Sequence, residues 1–424
     1  MLPESSALKN IMLGLLPESV DLLCELIAIP SIRGAEGPVS RHAAESFRPF
    51  CDTSELIPFP QDFTQRPDYV WPNPDIHYAD TCNLRLSVKG ASQGRSLILN
   101  AHSDVVPPSE GQKDPYKPKV ENDIVYGRGA CDDKGQFAVI HLLLRTMKKL
   151  KLRPRGSLTV DFVVEEENGG NGSLLAVQDI PQHDAAIVLE PTNLKICAAV
   201  RGAVWFELTA TGKAGHSGSP GKTKSALKIA IEAMRVIEAY HDTLLAASHH
   251  KNPLFVNYPD PMPVTFGQVN SGDWPATAPA QAIVKGVFGF LPDLTMLEVQ
   301  NGLQNILRQH ADPWVAKHTR IDFNMLNNEG NTLAADHELV ATLAEAGRDI
   351  GHPLEIIGMT AACDAWRYDK IGIPTVVFGA GDLWQHAHSA DEQISTKSIV
   401  EAALILMRFI DRWSGWVEEV ETKG

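Results

Sequence analysis

A short apolar run that ends abruptly in polar side chains is the feature that most constrains this chain. Leu97 to Leu99 opens a stretch typical of a buried strand, and His102 and Asp104 follow within a few residues. In open α/β sheets, ligands and catalytic groups gather just past the carboxyl ends of such strands. The stretch therefore predicts an α/β sheet with a functional site at the end of this strand.

A glycine-bracketed loop then presents a second acidic pair, Asp132 and Asp133, between Gly127 and Gly135. We expect His102, Asp104 and Asp132 to converge on one crevice. Imidazole nitrogen and carboxylate oxygen form a ligand set that suits a divalent metal such as zinc. A His-x-Asp pair after a strand also occurs as a simple hydrogen-bonded turn, so the metal interpretation needs support from elsewhere in the chain.

Three consecutive carboxylates, Glu165 to Glu167, follow a predicted strand over 158–164. Such a cluster is electrostatically costly unless a cation is bound or a pKa is raised. Because alternating residues of an extended chain face opposite ways, Glu166 and Glu167 can take different roles. One could bind a metal while the other holds a proton, and the alternative is a solvated acidic turn.

Further acidic and histidine residues repeat this theme. The predicted strand over 185–189 ends in Glu190, and the segment 385–392 supplies a late histidine, His388. The alternative for the late segment is a solvated surface turn. Buried strand ends that all finish in His, Asp or Glu are harder to dismiss together than singly, so the set favours a metal site.

A glycine-rich turn around His216 lies between a predicted strand and a predicted helix, where a phosphate-binding loop would lie. That motif needs four residues between its glycines. Here five residues separate Gly215 from Gly221, and neither Gly212 nor Gly218 restores the spacing. The mismatch argues against nucleotide binding.

The order of predicted elements divides the chain into three parts. Strands and helices alternate in the first part, which predicts a mixed, mostly parallel sheet with helices on both faces. From residue 203 the order becomes strand–helix–strand–strand–helix–strand, typical of a ferredoxin-like α+β domain. We predict a catalytic domain formed by 1–202 and 323–424, with 203–322 inserted. The proline- and aromatic-rich segment 57–78 is predicted to be an irregular surface loop or edge segment without assigned chemistry.

Composition excludes several classes of function. The net charge of −14 over 424 residues argues against nucleic-acid and anionic-membrane partners. The six cysteines form no Cys-x-x-Cys pair, which favours free thiols in a reducing compartment. Without an apolar run of about 18 residues or a basic leader, we expect a cytoplasmic protein.

Five of these motifs, in this order along the chain, resemble the acetylornithine deacetylase / succinyl-diaminopimelate desuccinylase family of zinc metallopeptidases. That group also includes aminoacylases, a glutamate-releasing carboxypeptidase and carnosine-type dipeptidases. The matching segments run from Leu22 to Glu392. The resemblance implies a zinc-exopeptidase-like catalytic domain, an inserted lid or dimerisation domain, a homodimer, and two divalent metal ions, zinc or alternatively cobalt.

The resemblance also implies a role for each matching residue. It assigns His102 and Glu190 to one metal, Glu167 and His388 to the other, Asp132 to both, Asp104 to the orientation of His102, Glu166 to general base catalysis, and His216 to oxyanion stabilisation in the partner's active site. A cis peptide after Asp132 is a further expectation.

Two departures from the family bear on the substrate. Asp133 stands where the deacylases usually have Met, so Asp-Asp-Lys-Gly is closer to the dipeptidases. Glu190, in contrast, is the residue of deacylases and carboxypeptidases, whereas aminopeptidase and dipeptidase members have Asp there. Gly289-Phe290 also lacks the arginine often found before Pro292. The leading hypothesis is a hydrolase of N-acyl amino acids. The alternatives are a dipeptidase or carboxypeptidase, and a non-catalytic, metal-stabilised binding protein.

Overall fold

The computed structural model describes residues 2–70, 78–219 and 221–419. The strands in these residues, in chain order, are β1 Thr53–Pro58, β2 Cys82–Val88, β3 Leu97–His102, β4 Lys119–Glu121, β5 Ile124–Tyr126, β6 Leu152–Pro154, β7 Leu158–Val163, β8 Ala186–Val188, β9 Ile196–Val200, β10 Gly202–Thr211, β11 Gly215–His216, β12 Val264–Ser271, β13 Thr277–Ala278, β14 Gln281–Phe290, β15 Thr319–Asp322, β16 Asn327–Asn328, β17 Asn331–Thr332, β18 Ile356–Met359, β19 Thr375–Val377, β20 Gln393–Ser395 and β21 Trp416–Glu418. The α-helices are α1 Ser5–Ala28, α2 Gly37–Phe47, α3 Lys134–Leu150, α4 Asn171–Ala176, α5 Ala226–Ser248, α6 Met296–Arg308, α7 Pro313–His318, α8 Glu338–Asp349, α9 Ala365–Lys370, α10 Leu383–His386 and α11 Thr396–Trp413.

A nine-stranded mixed sheet forms the larger part of the molecule, in the order β1-β2-β7-β3-β8-β19-β9-β17, with β18 also on β9. The four central strands β7, β3, β8 and β19 run parallel. Antiparallel pairs join β1, β2 and β7 on one side and β19, β9 and β17 on the other. The predicted mixed α/β sheet is confirmed, and its parallel pairs are concentrated at the centre.

Helices cover both faces of this sheet, as predicted. Every residue of β3 is buried, because successive side chains enter different layers. Leu97 and Leu99 join the core formed with α1, α3, α8 and α11. Ile98 lies in a separate core with α9 residues such as Tyr368. Burial on both faces explains why the sequence of β3 is a continuous apolar run.

A second, five-stranded antiparallel sheet has the order β12-β14-β10-β15, with β16 also on β10. Helices α5 and α6 pack on it through residues such as Ile229, Ala233 and Leu303, which form a core of their own. The main elements follow the predicted β-α-β-β-α-β order. The sheet runs from Gly202 to Asn328, and the domain limits at 203 and 322 stay predictions.

The segment 57–78 contributes to the interior as well as to the surface. Its residues 71–77 lie outside the described residues. Phe59 and Phe63 are buried and pack against Val164 and Leu174, which flank the acidic turn after β7. The prediction of an irregular surface loop or edge segment is confirmed for Ile57 and Pro58, which end the edge strand β1, and is wrong for these buried aromatic side chains.

All six cysteines are free thiols. Among the described residues, no helix combines the length and the apolar character needed to cross a bilayer.

A buried histidine in α3 leads to a prediction for pH-dependent stability. His141 contacts the rings of Phe47 and Phe50 edge-on, and its Nδ1 lies 3.0 Å from the Ser19 hydroxyl. Burial lowers the pKa of His141 from 6.5 to about 4. The unfolded chain therefore binds more protons than the folded chain between these values, and stability falls as the pH drops through this window.

We expect this histidine to destabilise the fold by about 3 kcal/mol on going from pH 7 to pH 4. The difference between wild type and His141→Gln in urea-unfolding free energy isolates this contribution from other titrating groups. The variant should lose less stability than wild type over that range. Parallel pH profiles for the two proteins would contradict the assignment.

Candidate metal centre

The parallel strands at the centre of the large sheet bring distant parts of the sequence together. His102 is the last residue of β3 and pairs with Val163, the last residue of β7. Glu166 and Glu167 lie within four residues of the end of β7, and Glu190 lies two residues after β8, which neighbours β3 on its other side. Because the carboxyl ends of parallel strands meet at one edge of a sheet, these side chains converge there.

Two groups of potential metal ligands lie at this edge. The first contains His102, Asp132, Asp133 and Glu190, and the second contains Asp132, Glu167 and His388; the ligand atoms within each group lie within 4.8 Å of one another. The predicted ligands are therefore brought together, and Asp132 belongs to both groups.

Asp132 lies between two histidines that are far apart in sequence. Its Oδ1 is 2.9 Å from Nε2 of His102, and its Oδ2 is 3.4 Å from Nε2 of His388. His388 Nε2 also lies 2.9 Å from Oε1 of Glu167. The peptide bond after Asp132 is cis, as the resemblance implies. One carboxylate thus links the two groups.

A buried carboxylate that the sequence analysis did not single out holds the loop before Asp132. Glu392 accepts backbone N–H bonds from Gly129, Cys131 and Asp132 at 3.0–3.1 Å. It also forms a buried ion pair of 2.5 Å with Arg128. Because Glu392 lies four residues after His388, it ties the loop of one candidate ligand to the segment of another.

Asp104 makes more contacts than the one predicted for it. Nδ1 of His102 lies 3.0 Å from the Asp104 carbonyl oxygen and 3.5 Å from its carboxylate. The same carboxylate accepts the backbone N–H groups of Glu166 and Glu167, each at 3.1 Å. Asp104 therefore contacts both His102 and the acidic turn after β7.

The three consecutive glutamates separate in space. Glu165 turns away from both metal-ligand groups and pairs with Arg33. Glu167 belongs to the second group, whereas Glu166 is buried beside the groups and is a member of neither. The adjacent glutamates thus occupy different positions relative to a metal site.

Asp133 joins the first group although the resemblance gave it no ligand role. Its Oδ2 accepts the backbone N–H of His102 at 3.1 Å. Its Oδ1 is buried and has no hydrogen-bond partner among the described residues. In the sequence, Asp133 stands out only as a member of the acidic pair with Asp132. That pattern does not indicate which of the two aspartates belongs to which ligand group.

Burial and mutual repulsion disfavour negative charge on several carboxylates here. Burial raises the pKa of Glu166 well above its ordinary value, and nearby Glu190 raises it further. The pKa of Glu190 is raised by burial and then by Asp133. Burial also raises the pKa of Asp133, although His102 opposes the change. A cluster of this kind favours a bound cation.

At the two histidines, neighbouring carboxylates favour the protonated, positively charged form. Burial lowers the pKa of His102, but hydrogen bonds to Asp104 and Asp132 outweigh it and raise the pKa above 6.5. Asp132 and Glu167 raise the pKa of His388 to about 11. The imidazole of His102 is buried and that of His388 is half exposed. Imidazole nitrogens and carboxylate oxygens are the ligands that zinc and related divalent metals prefer. The residues present therefore fit a metal site.

His216 is not brought to these groups within the chain. It lies in β11, pairs with Thr277 of β13, and is exposed. Its Nδ1 accepts the backbone N–H of Gly218 at 3.0 Å. Of the eight residues predicted for the site, His216 alone lies in the second sheet's part of the chain.

Comparisons with known proteins agree with this geometry. The family model for peptidase family M20/M25/M40 matches residues 98–412. The acetylornithine deacetylase of Proteus mirabilis (strain HI4320) is 27% identical over 408 residues, covering 94% of this chain and 97% of its own length. That of Pasteurella multocida (strain Pm70) is 29% identical over 344 residues, covering 79% and 84%.

Solved structures of low sequence identity share the fold. The di-peptidase Dug1p from Saccharomyces cerevisiae has a TM-score of 0.76 at 13% identity, covering 97% of this chain and 98% of its own. Human carnosine dipeptidase 1 has a TM-score of 0.71 at 14% identity, covering 97% and 99%. The M20 family metallo-carboxypeptidase Sso-CP2 from Sulfolobus solfataricus has a TM-score of 0.72 at 15% identity, covering 94% and 99%.

Proposed function

This chain belongs to peptidase family M20/M25/M40 and is a hydrolase of amide bonds, and on that premise we propose that it removes the acyl group from N-acyl amino acids. The observation that carries the proposal is the arrangement of two potential ligand groups that share Asp132, with Glu166 buried beside both and a member of neither. This arrangement provides places for two metal ions and for a separate base.

The proposed metal sites use the predicted residues. His102, Glu190 and Asp132 would hold one divalent ion, and Asp132, Glu167 and His388 would hold the other. We propose zinc, with cobalt as the alternative, because the donors are imidazole nitrogens and carboxylate oxygens. When bound, the metal pair polarises the amide carbonyl and lowers the pKa of the attacking water.

Glu166 is the proposed general base and acid. It takes the proton from the attacking water and delivers that proton to the leaving amine nitrogen. Its backbone N–H is held by Asp104, which also contacts His102. Asp104 therefore holds the backbone of the proposed base at a fixed position relative to His102, a proposed metal ligand.

His216 is the proposed oxyanion donor, acting in the active site of a second copy of the chain. Its exposed position, in a strand pair separate from the large sheet, supports a contribution to a partner rather than to its own site. This proposal includes a homodimer, in which α5 and the second sheet are the candidate interface. Because His216 is part of another domain, domain closure would complete the site.

The identity of the substrate rests on different observations. The full-length similarity to proteins named acetylornithine deacetylase supports an N-acyl amino acid. Glu190 supports the same class, because it matches the deacylase and carboxypeptidase pattern. A dipeptidase or carboxypeptidase is the second candidate, since Asp133 belongs to the first ligand group and matches the dipeptidase motif.

A substrate panel tests these alternatives. Protein reconstituted with zinc or cobalt should hydrolyse N-acetylornithine or other N-acyl amino acids with higher kcat/KM than simple dipeptides. Higher kcat/KM on dipeptides or on peptides with a free carboxyl terminus would favour the second candidate. If chelation lowers Tm but no compound in the panel is hydrolysed, the non-catalytic, metal-stabilised alternative would replace both.

A further inference from the structure

The first of the three consecutive glutamates has an unusually complete set of partners. The fully buried carboxylate of Glu165 accepts hydrogen bonds from Arg33 Nε at 2.8 Å, Tyr78 OH at 2.5 Å and Asn171 Nδ2 at 2.9 Å. These donors come from three separate parts of the chain. Glu165 is therefore anchored away from the metal-ligand groups, at the start of the turn that carries Glu166 and Glu167.

The backbone at Glu165 needs such anchoring. Its φ of +58° lies in the left-handed region, which is sparsely populated by residues other than glycine and costs of order 1 kcal/mol or more. On the other side of the turn, the Asp104 carboxylate holds the N–H groups of Glu166 and Glu167. The turn is thus held by the hydrogen bonds of the Glu165 side chain and by those of the Asp104 carboxylate.

Tyr78 joins this turn to the aromatic part of the segment 57–78. Its ring stacks on Phe59 with centroids 4.2 Å apart, and its hydroxyl lies 3.0 Å from that of Tyr69. Burial raises the pKa of Tyr78 well above its ordinary value, with Glu165 adding to the effect, so the phenol keeps its proton and donates it. Asn171 also bonds both backbone groups of Val70 in this segment.

We propose that Tyr78 and Arg33 are positioning residues that act through Glu165 to orient Glu166 and Glu167. Through Tyr78, the segment 57–78 thereby contributes to the reaction, although neither Tyr78 nor Arg33 is a proposed metal ligand or a proposed base. The inference rests on the proposed function for the roles of Glu166 and Glu167, and on the described contacts for the rest.

The kinetic test compares two hydroxyl deletions, one in the aromatic cluster beside Glu165 and one outside it. Tyr78→Phe removes the hydrogen bond to Glu165 and keeps the ring, and should lower kcat about 10- to 100-fold with KM little changed. Tyr258→Phe removes the hydroxyl of a half-buried tyrosine that packs against Phe255, outside this cluster, and should leave kcat near the wild-type value. Glu165→Gln weakens the pair with Arg33 and should lower kcat in the same way as Tyr78→Phe.

A metal titration tests the same inference without turnover. Because Glu167 belongs to the turn, Tyr78→Phe should weaken binding of the lower-affinity Co²⁺ ion about tenfold, and Tyr258→Phe should not. If wild type hydrolyses nothing in the panel, the proposed function fails while this titration still decides the positioning role. Equal kcat and equal Co²⁺ affinity in the two Phe variants, whatever their Tm values, would overturn the inference.

Discussion

Glu166→Gln is expected to lower kcat by about 10²–10⁴-fold, the range typical for loss of general acid–base catalysis. Glutamine keeps the size of the side chain but cannot accept the proton of the attacking water. Because Glu166 is a member of neither potential ligand group, the variant should still bind close to two metal ions per chain. Turnover of the best panel substrate and metal content by mass spectrometry are the two measurements.

The matched control is Glu45→Gln on the exposed side of α2, which makes the same change in charge far from the site in sequence. It should keep both wild-type activity and metal content. Full activity in Glu166→Gln would refute the proposed base. Loss of a metal ion from that variant would instead place Glu166 among the ligands and return Glu167 to consideration as the base.

Much of the site could be predicted because parallel strands impose a simple rule on the sequence. β3, β7 and β8 are short, largely apolar strands. β3 ends in His102, Glu166 and Glu167 come soon after β7, and Glu190 comes soon after β8. Once these apolar runs are identified as parallel strands, their ends must share an edge, whatever the distance along the chain. The helices α3, α5 and α11 carry apolar side chains at helical spacing, a pattern that indicates a helix more clearly than it indicates where the helix ends.

The residues that support the site gave weaker signals. Glu392 resembles any surface glutamate in sequence, and only the fold reveals the three N–H groups that surround it. Glu165 differs from Glu166 through its left-handed backbone and through its partners Arg33 and Tyr78, which are far away in the chain. Partners of this kind depend on tertiary contacts that no local pattern encodes.

One strand of the second sheet, β12, is also difficult to predict from the sequence. Residues 251–279 are rich in Pro, Gly and Asn, yet they contain the strand β12. β12 pairs only with β14 in the described sheet, and its apolar alternation covers just Val264 and Phe266. Beyond them the register shifts at a bulge and most of the strand is exposed. Edge strands are therefore harder to predict from sequence than the central strands that carry the site.

His216→Ala tests the part of the proposal that a single chain cannot satisfy. A well-placed oxyanion donor contributes about 10²–10³-fold to kcat, so the variant should lose activity by that factor. In a symmetric dimer, each site would combine Glu166 of one chain with His216 of the other. Mixing the inactive His216→Ala and Glu166→Gln proteins should then restore activity, because each heterodimer has one site with both residues intact.

The expected recovery follows from random exchange of subunits. Half of the dimers would be mixed, and half of the sites in those dimers would be intact, giving about a quarter of wild-type activity. His250→Ala, which removes another exposed histidine of the same part of the chain, should stay active alone. Native mass spectrometry establishes whether mixed dimers have formed. Mixed dimers without recovered activity would exclude the trans role, because the intact pair of residues would then be present and would not suffice.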